Sequence, residues 1–172
     1  MSAKESRIIE AAQFARKAHE GQQRKYNNAP YITHPTRVAG RVATLDGSTV
    51  EMVAASFLHD VIEDCGISYA ALFDMFGKDV ADLVLELTND KTIQGNRAER
   101  KLQNRERFKN ASKSAKIIKL VDRIDNLCEL DWSNGFAKLY ANESILLLNE
   151  SLTGVNTELE NELRDICERI LL

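Results

Sequence analysis

Apolar residues in this chain recur at helical spacing almost from end to end, and no segment alternates apolar and polar residues with the period of two that a half-buried strand requires. Ile8, Ile9, Ala12, Ala15 and Ala18 recur at helical intervals before Gly21, and Ser2 with Glu5 has the spacing of a capping box. Pro35 suits the first turn of a short helix through Val38, Val42 and Leu45. Ser48 and Glu51 form a second capping box, and Val50, Val53, Ala54, Phe57, Leu58, Val61 and Ile62 predict one helix from there to Gly66. Further patterns predict helices over 68 to 76, 78 to 87, 112 to 130, 136 to 152 and 157 to 171, with breaks at Gly77 and Gly154. The fold class is therefore all-α. Residues 91 to 110 offer only Ile93, Leu102 and Phe108 as apolar anchors, which leaves an exposed helix and a mobile flap both open. With 172 residues the expectation is a single compact multi-helix domain over 1–172.

Several functional classes fall away on composition. No apolar run approaches the roughly 18 residues of a membrane span, and charges interrupt the N-terminal apolar positions that a signal peptide would keep continuous. A cytoplasmic location and no membrane partner are expected. Cys65, Cys128 and Cys167 have no metal-binding or redox spacing, so they are read as bystander thiols. The net charge of −3 argues against a nucleic-acid binder, but the charge is uneven. Residues 91 to 119 hold ten Lys or Arg against two Glu, giving +8 and leaving −11 for the rest. The apolar stripe Leu159, Leu163, Ile166, Ile170, Leu171 and Leu172 suits the core better than a dimer contact, and a monomer and a homodimer both stay open.

The predicted helix 50–66 ends in "SFLHDVIEDCG", with His59, Asp60, Glu63 and Asp64 crowded behind a buried-looking run. On a continuous helix His59 and Glu63 share a face, and Asp60 and Asp64 repeat that spacing one position round. Carboxylates this close repel unless a cation or a proton lies between them, and a divalent metal would remove the conflict. A His-Asp dipeptide alone arises by chance in roughly one such chain in five, so it needs company. "RKYNNAPYITHP" supplies His34 at a helix start, and "KLVDRIDNL" sets Asp122 inside the apolar pattern of Leu120, Val121, Ile124 and Leu127.

The ordered set "FARKAHEGQQRK", "PYITHP", "VAASFLHDVIED", "FGKDVADLVLELTNDK" and "KLVDRIDNL" resembles the hydrolase domain of the RelA/SpoT homologue family, within the HD phosphohydrolase superfamily. The likeness spans residues from about 11 to 130, and "LTNDKT" with the chain length is most similar to the small alarmone hydrolases, metazoan SpoT homologues among them. The resemblance implies hydrolysis of the 3′-diphosphate of ppGpp and pppGpp, with no synthetase domain. It implies that His34, His59, Asp60 and Asp122 bind one Mn2+, a mixed nitrogen and oxygen set that by spacing alone suits Mn, Fe, Zn or Mg. It makes Glu63 and Asp64 the catalytic pair that orients or activates water, and places Arg24, Lys25 and Asn126 at the nucleotide. Lys91 follows the matched "LTND" and is assigned to phosphate contact, and Tyr140 to the nucleoside end. His19 matches the family pattern but is read as a packed, hydrogen-bonded structural histidine. Cys65 and Val121 stand where the family usually has threonine and alanine, and "KYNNAP" differs from the usual loop, which leaves base preference open. Adenine alarmones or the 2′-phosphate of NADPH are the alternative substrates, and a non-catalytic alarmone sensor is the alternative from another class.

Overall fold

The computed structural model describes the backbone of residues 3–172 and the side chains of residues 6–172. The Ser2–Glu5 capping box lies outside the described residues. The chain forms two compact units, Met1–Asn89 and Asp90–Leu172. Among the described residues there is no strand beyond one isolated antiparallel bridge between Gln23 and Pro30, as the missing period of two requires.

The first unit contains α1 (Ala3–Ala18), α2 (Thr33–Ala43), α3 (Val50–Leu58), α4 (Val61–Cys65), α5 (Tyr69–Phe76) and α6 (Lys78–Leu87). Helix α3 is its centre, packing on α1, α2 and α6. Met52, Val53, Ala54, Ala55, Ser56 and Leu58 are all buried, so α3 is covered on every side, as a helix apolar all round must be. Its small residues let α1, with Ala11 and Ala15 buried, and α2, with Val38, Ala39 and Val42 buried, pack against it. Phe14 meets Phe76 edge to face at 5.6 Å and ties α1 to the end of α5.

Two details correct the sequence expectation here. Thr49, and not Ser48, caps α3, its side chain accepting from the Met52 backbone N–H. The helix expected to run unbroken to Gly66 is interrupted at His59 and Asp60, and α4 restarts at Val61. Asp60 has φ −103° and ψ −4°, the bridge region between helix and strand that many active-site residues occupy. Gly66 then ends α4 at φ 69°, a left-handed conformation that glycine adopts without strain.

The second unit contains α7 (Arg97–Phe108), α8 (Lys113–Glu129), α9 (Gly135–Leu147), a π turn over Leu148–Leu152, and α10 (Thr157–Leu171). The segment left open in the sequence is a helix: Asn96 and Glu99 form a reciprocal capping box at the start of α7. The helix expected over 136 to 152 widens into the π turn for its last five residues, a local bulge of the kind that often attends function. Helix α10 packs on α8 and α9 through Leu159, Leu163, Ile166 and Ile170, which confirms a core role for these four, while Leu172 is fully exposed. No helix among the described residues is long and apolar enough to cross a membrane.

Candidate active site

The break between α3 and α4 brings three potential ligands together. His34, His59 and Asp60 each offer one ligand atom, and these atoms lie within 4.8 Å of one another. Both imidazoles are almost fully buried, crossing edge to face at 5.1 Å. His59 Nδ1 lies 2.7 Å from the Ser56 carbonyl oxygen. A carbonyl only accepts, so Nδ1 carries the proton, and a neutral His59 presents its lone pair on Nε2, 3.1 Å from Asp60 Oδ2. A lone pair aimed at a carboxylate oxygen is repulsive unless a cation or proton lies between them. Two ligands each about 2.0–2.2 Å from a divalent ion stand about 3 Å apart, so the donor set and its spacing fit such an ion.

Asp60 is held from outside as well. Tyr31 donates its phenol O–H to Asp60 Oδ2 at 2.6 Å. The Tyr31 ring stacks on His19 with centroids 4.6 Å apart, and the Arg24 guanidinium lies 5.4 Å from the ring centre. His19 is buried and hydrogen-bonded to the Gln22 carboxamide at 2.8 Å, with Cys65 Sγ 3.3 Å from the same nitrogen. The structural reading of His19 is thus the right one. Burial, followed by the charges of Asp64 and Asp60, pushes the Cys65 thiol up.

Glu63 accepts two hydrogen bonds on Oε2 from Asn89, from the backbone N–H at 3.2 Å and from the side-chain amide at 3.0 Å. That fixes the carboxylate and leaves Asp64 as the more exposed member of the acidic pair. Tyr31 and Asn89, which hydrogen-bond Asp60 and Glu63, are neighbours of the candidate site that residue-type reasoning missed. Both lie inside stretches already singled out, "PYITHP" and "LTND", where a phenol or amide beside a site carboxylate was the available signal.

Arg24 is buried, its guanidinium carbon 6.0 Å from the Tyr26 ring centre and 5.4 Å from that of Tyr31, and its backbone N–H donates to the Ala29 carbonyl to close the loop before α2. Asn28 turns that loop at φ 57°, a conformation asparagine tolerates. Lys25 stands exposed on it.

Asp122, Asn126, Lys91 and Tyr140 belong to the second unit. Asp122 is buried on α8; Lys119 Nζ lies 3.0 Å from its Oδ2, and Asn126 donates to its Oδ1 at 2.6 Å. The three-residue cluster does not include it. Tyr140 on α9 lies under the Arg123 guanidinium at 4.5 Å. Arg97 grips Glu143 with two bonds of 2.7 and 3.0 Å. Lys101, half-buried on α7, is pulled down to about 8 by burial, then by Arg123, with Arg97 and Lys119 acting in the same direction and Glu143 opposing. Lys91 is exposed in the segment before α7.

Residues 11–145 match the HD domain family. The chain is 35% identical to the guanosine-3′,5′-bis(diphosphate) 3′-pyrophosphohydrolase MESH1 of Xenopus tropicalis, over 95% of this chain and 94% of that protein. It is 38% identical to the bifunctional (p)ppGpp synthase/hydrolase SpoT of Escherichia coli over 70% of this chain, but only 18% of that much longer protein. Among solved structures, a metazoan ortholog of SpoT that hydrolyses ppGpp and plays a role in starvation responses superposes with a TM-score of 0.83. It is 32% identical and covers all of this chain and 98% of its own.

Proposed function

This chain belongs to the HD domain family, and we propose that it is a metal-dependent hydrolase that removes the 3′-diphosphate of ppGpp and pppGpp, releasing pyrophosphate and GDP or GTP. The observation that carries the reading is the cluster of His34, His59 and Asp60 beside a fixed Glu63, in a chain that aligns over nearly its full length with hydrolases named for this reaction. The relatives' names favour guanosine tetraphosphate over adenine alarmones, the NADPH 2′-phosphate and a silent sensor.

His34, His59 and Asp60 would hold the metal, with Asp122 as the fourth ligand the family resemblance implies. Manganese is the proposed ion, since two imidazoles with two carboxylates suit a borderline to hard divalent cation. Such an ion supplies Lewis acidity toward a phosphoryl oxygen and a lowered pKa for water. The rest of the chemistry falls to the protein. Water adds to the phosphorus attached to the ribose 3′-oxygen, the bond between them breaks, and that oxygen takes up a proton as pyrophosphate leaves. Glu63 and Asp64 are the groups that accept the water's proton and return one to the 3′-oxygen. Asn89 keeps the Glu63 carboxylate in one orientation for that transfer. Tyr31 and the Ser56 carbonyl fix Asp60 and His59 before any ligand arrives.

Arg24, packed on Tyr26 and Tyr31, offers a guanidinium plane for a purine, and Lys25 and Lys91 are assigned to phosphate as point charges. Asn126 and Tyr140 are assigned to the nucleoside. The test is a parallel assay of ppGpp, the adenine alarmone and NADPH with the purified protein and Mn2+. Turnover of ppGpp at least tenfold above the others is expected; NADPH turnover without ppGpp turnover would replace the substrate and keep the site.

A further inference from the structure

Tyr31 borders two of the three clustered ligands. Its phenol O–H donates to Asp60 Oδ2 at 2.6 Å, and its ring meets His34 edge to face with centroids 6.1 Å apart. The ring is held in turn by two residues outside the cluster. His19 stacks on it at 4.6 Å with the planes 25° apart. The Gln22 backbone carbonyl accepts the Tyr31 N–H at 2.9 Å, and the Gln22 side-chain oxygen lies 2.8 Å from His19 Nδ1. A carboxamide oxygen only accepts, so Nδ1 carries the proton and the bond fixes how the imidazole is turned. Gln22 therefore fastens both the backbone of the tyrosine and the ring that stacks on its side chain. The pair is anchored to α1: the His19 N–H donates to the Ala15 carbonyl and the Gln22 N–H to the His19 carbonyl, each at 3.0 Å. Gln22 is half-buried and lines a cavity of about 740 Å³, so open space borders it there and the directional bond to His19 sets where the carboxamide points.

We propose that His19 and Gln22 are positioning residues for the metal cluster: by fixing the Tyr31 ring they keep its O–H on Asp60, and so set how tightly His34, His59 and Asp60 hold a divalent ion. Neither belongs to the cluster itself, and both act through Tyr31. The inference rests on the metal site proposed above and not on the identity of the substrate. A carboxylate already held in one orientation loses less freedom when an ion arrives, and outer partners that orient a ligand are worth roughly 10 to 100-fold in metal affinity. His19 and Gln22 stand one step further out than Tyr31, so the lower end of that range is expected for them.

The experiment measures Mn2+ affinity by chelator competition and, in the metal-free chain, the carbon NMR signal of Tyr31 Cζ, which reports the hydrogen bonding of the phenol. His19→Ala should weaken Mn2+ binding by roughly tenfold and move the Tyr31 signal from its wild-type position. Gln22→Leu, which removes the acceptor and keeps the bulk, should move both readouts the same way by less. Gln22→Glu, which still offers an acceptor to Nδ1–H, should stay near wild type. In a Tyr31→Phe background His19→Ala and Gln22→Leu should cost no further affinity, because the bond they serve is already gone. A merely structural histidine would lower the thermal melt without that dependence on the Tyr31 hydroxyl. Gln22→Leu changes a half-buried position and keeps the test in hand if His19→Ala does not fold. Wild-type Mn2+ affinity with an unmoved Tyr31 signal in folded Gln22→Leu, or equal losses with and without the Tyr31 hydroxyl, would overturn the inference. The expected pattern in a chain that does not hydrolyse ppGpp would support it and remove the proposed substrate. A wild-type chain that binds no Mn2+ would remove the metal site and overturn the effect on affinity, and the Tyr31 signal would still accept or reject His19 and Gln22 as the groups that place the phenol.

Discussion

The two units solve opposite electrostatic problems. In the first, the α3–α4 junction gathers acceptors: the His59 Nε2 lone pair, His34 and a carboxylate oxygen, all within 4.8 Å, a set that becomes comfortable with a cation. In the second, α7, α8 and α9 carry more donors than acceptors: Arg97, Lys101, Lys119 and Arg123 against Glu143 and Asp122, with Arg97 paired to Glu143, Lys119 to Asp122 and Arg123 stacked on Tyr140. Each unit packs its own core. At the α3–α4 junction, acceptors held together away from water point to a cation as the missing ligand.

The comparison breaks most sharply at Asp60. Asp60→Ala removes the carboxylate that holds the acceptor cluster together. Activity is expected to fall by roughly 10^3-fold or more, because a catalytic metal contributes several kcal/mol of transition-state stabilisation. Pyrophosphate release in Mn2+ checks it. Glu63→Gln should cost about 10^2 to 10^4-fold in kcat, the usual worth of general acid–base help, while metal affinity in calorimetry stays near wild type. Weakened metal binding in that variant would move Glu63 from proton transfer to ligation.

Tyr31→Phe leaves the ring packed between His19 and Arg24 and removes only the hydrogen bond to Asp60. A loss of roughly 10 to 100-fold in metal affinity, measured by chelator competition, is expected for a partner of this kind. On the scaffold, Thr49→Ala should cost about 1 kcal/mol in denaturant unfolding as the cap of α3, and Ser48→Ala should cost clearly less. A pH-dependent effect concerns Lys101. Its folded value of about 8 lies below the ordinary 10.5, so between those pH values the unfolded chain binds more protons than the folded one. Stability from this group therefore rises as pH increases from about 8 toward 10.5, and the rise should vanish in Lys101→Met.

Much of this was legible in the sequence, for definite reasons. Helical period and glycine stops survive any tertiary context, so the helices from α5 onward fell where the pattern put them, apart from α7 and the π turn. The break at His59 was hidden because Leu58, Val61 and Ile62 continue the apolar pattern of α3 across it, and periodicity reports which side faces the core without reporting a kinked backbone. Adjacent cap-forming residues hid the choice of Thr49 over Ser48. Helix α7 escaped because seven of its twelve residues are charged, with Leu102 47% exposed and Phe108 buried; the Asn96 to Glu99 spacing was the usable signal. The ligand types were readable at His34, His59 and Asp60 because few other roles suit such a group on an apolar helix end. The excess of +8 over residues 91 to 119 was readable too, but not that Lys101 is half-buried or that Arg123, just outside that stretch, is buried.

The most direct measurement is pyrophosphate release from ppGpp by the purified chain after treatment with chelator, followed by addition of Mn2+, alongside His59→Ala treated identically. The account predicts no release without metal, restoration on adding Mn2+, and no restoration in the variant. Release that persists through chelation, or that His59→Ala retains, would contradict it.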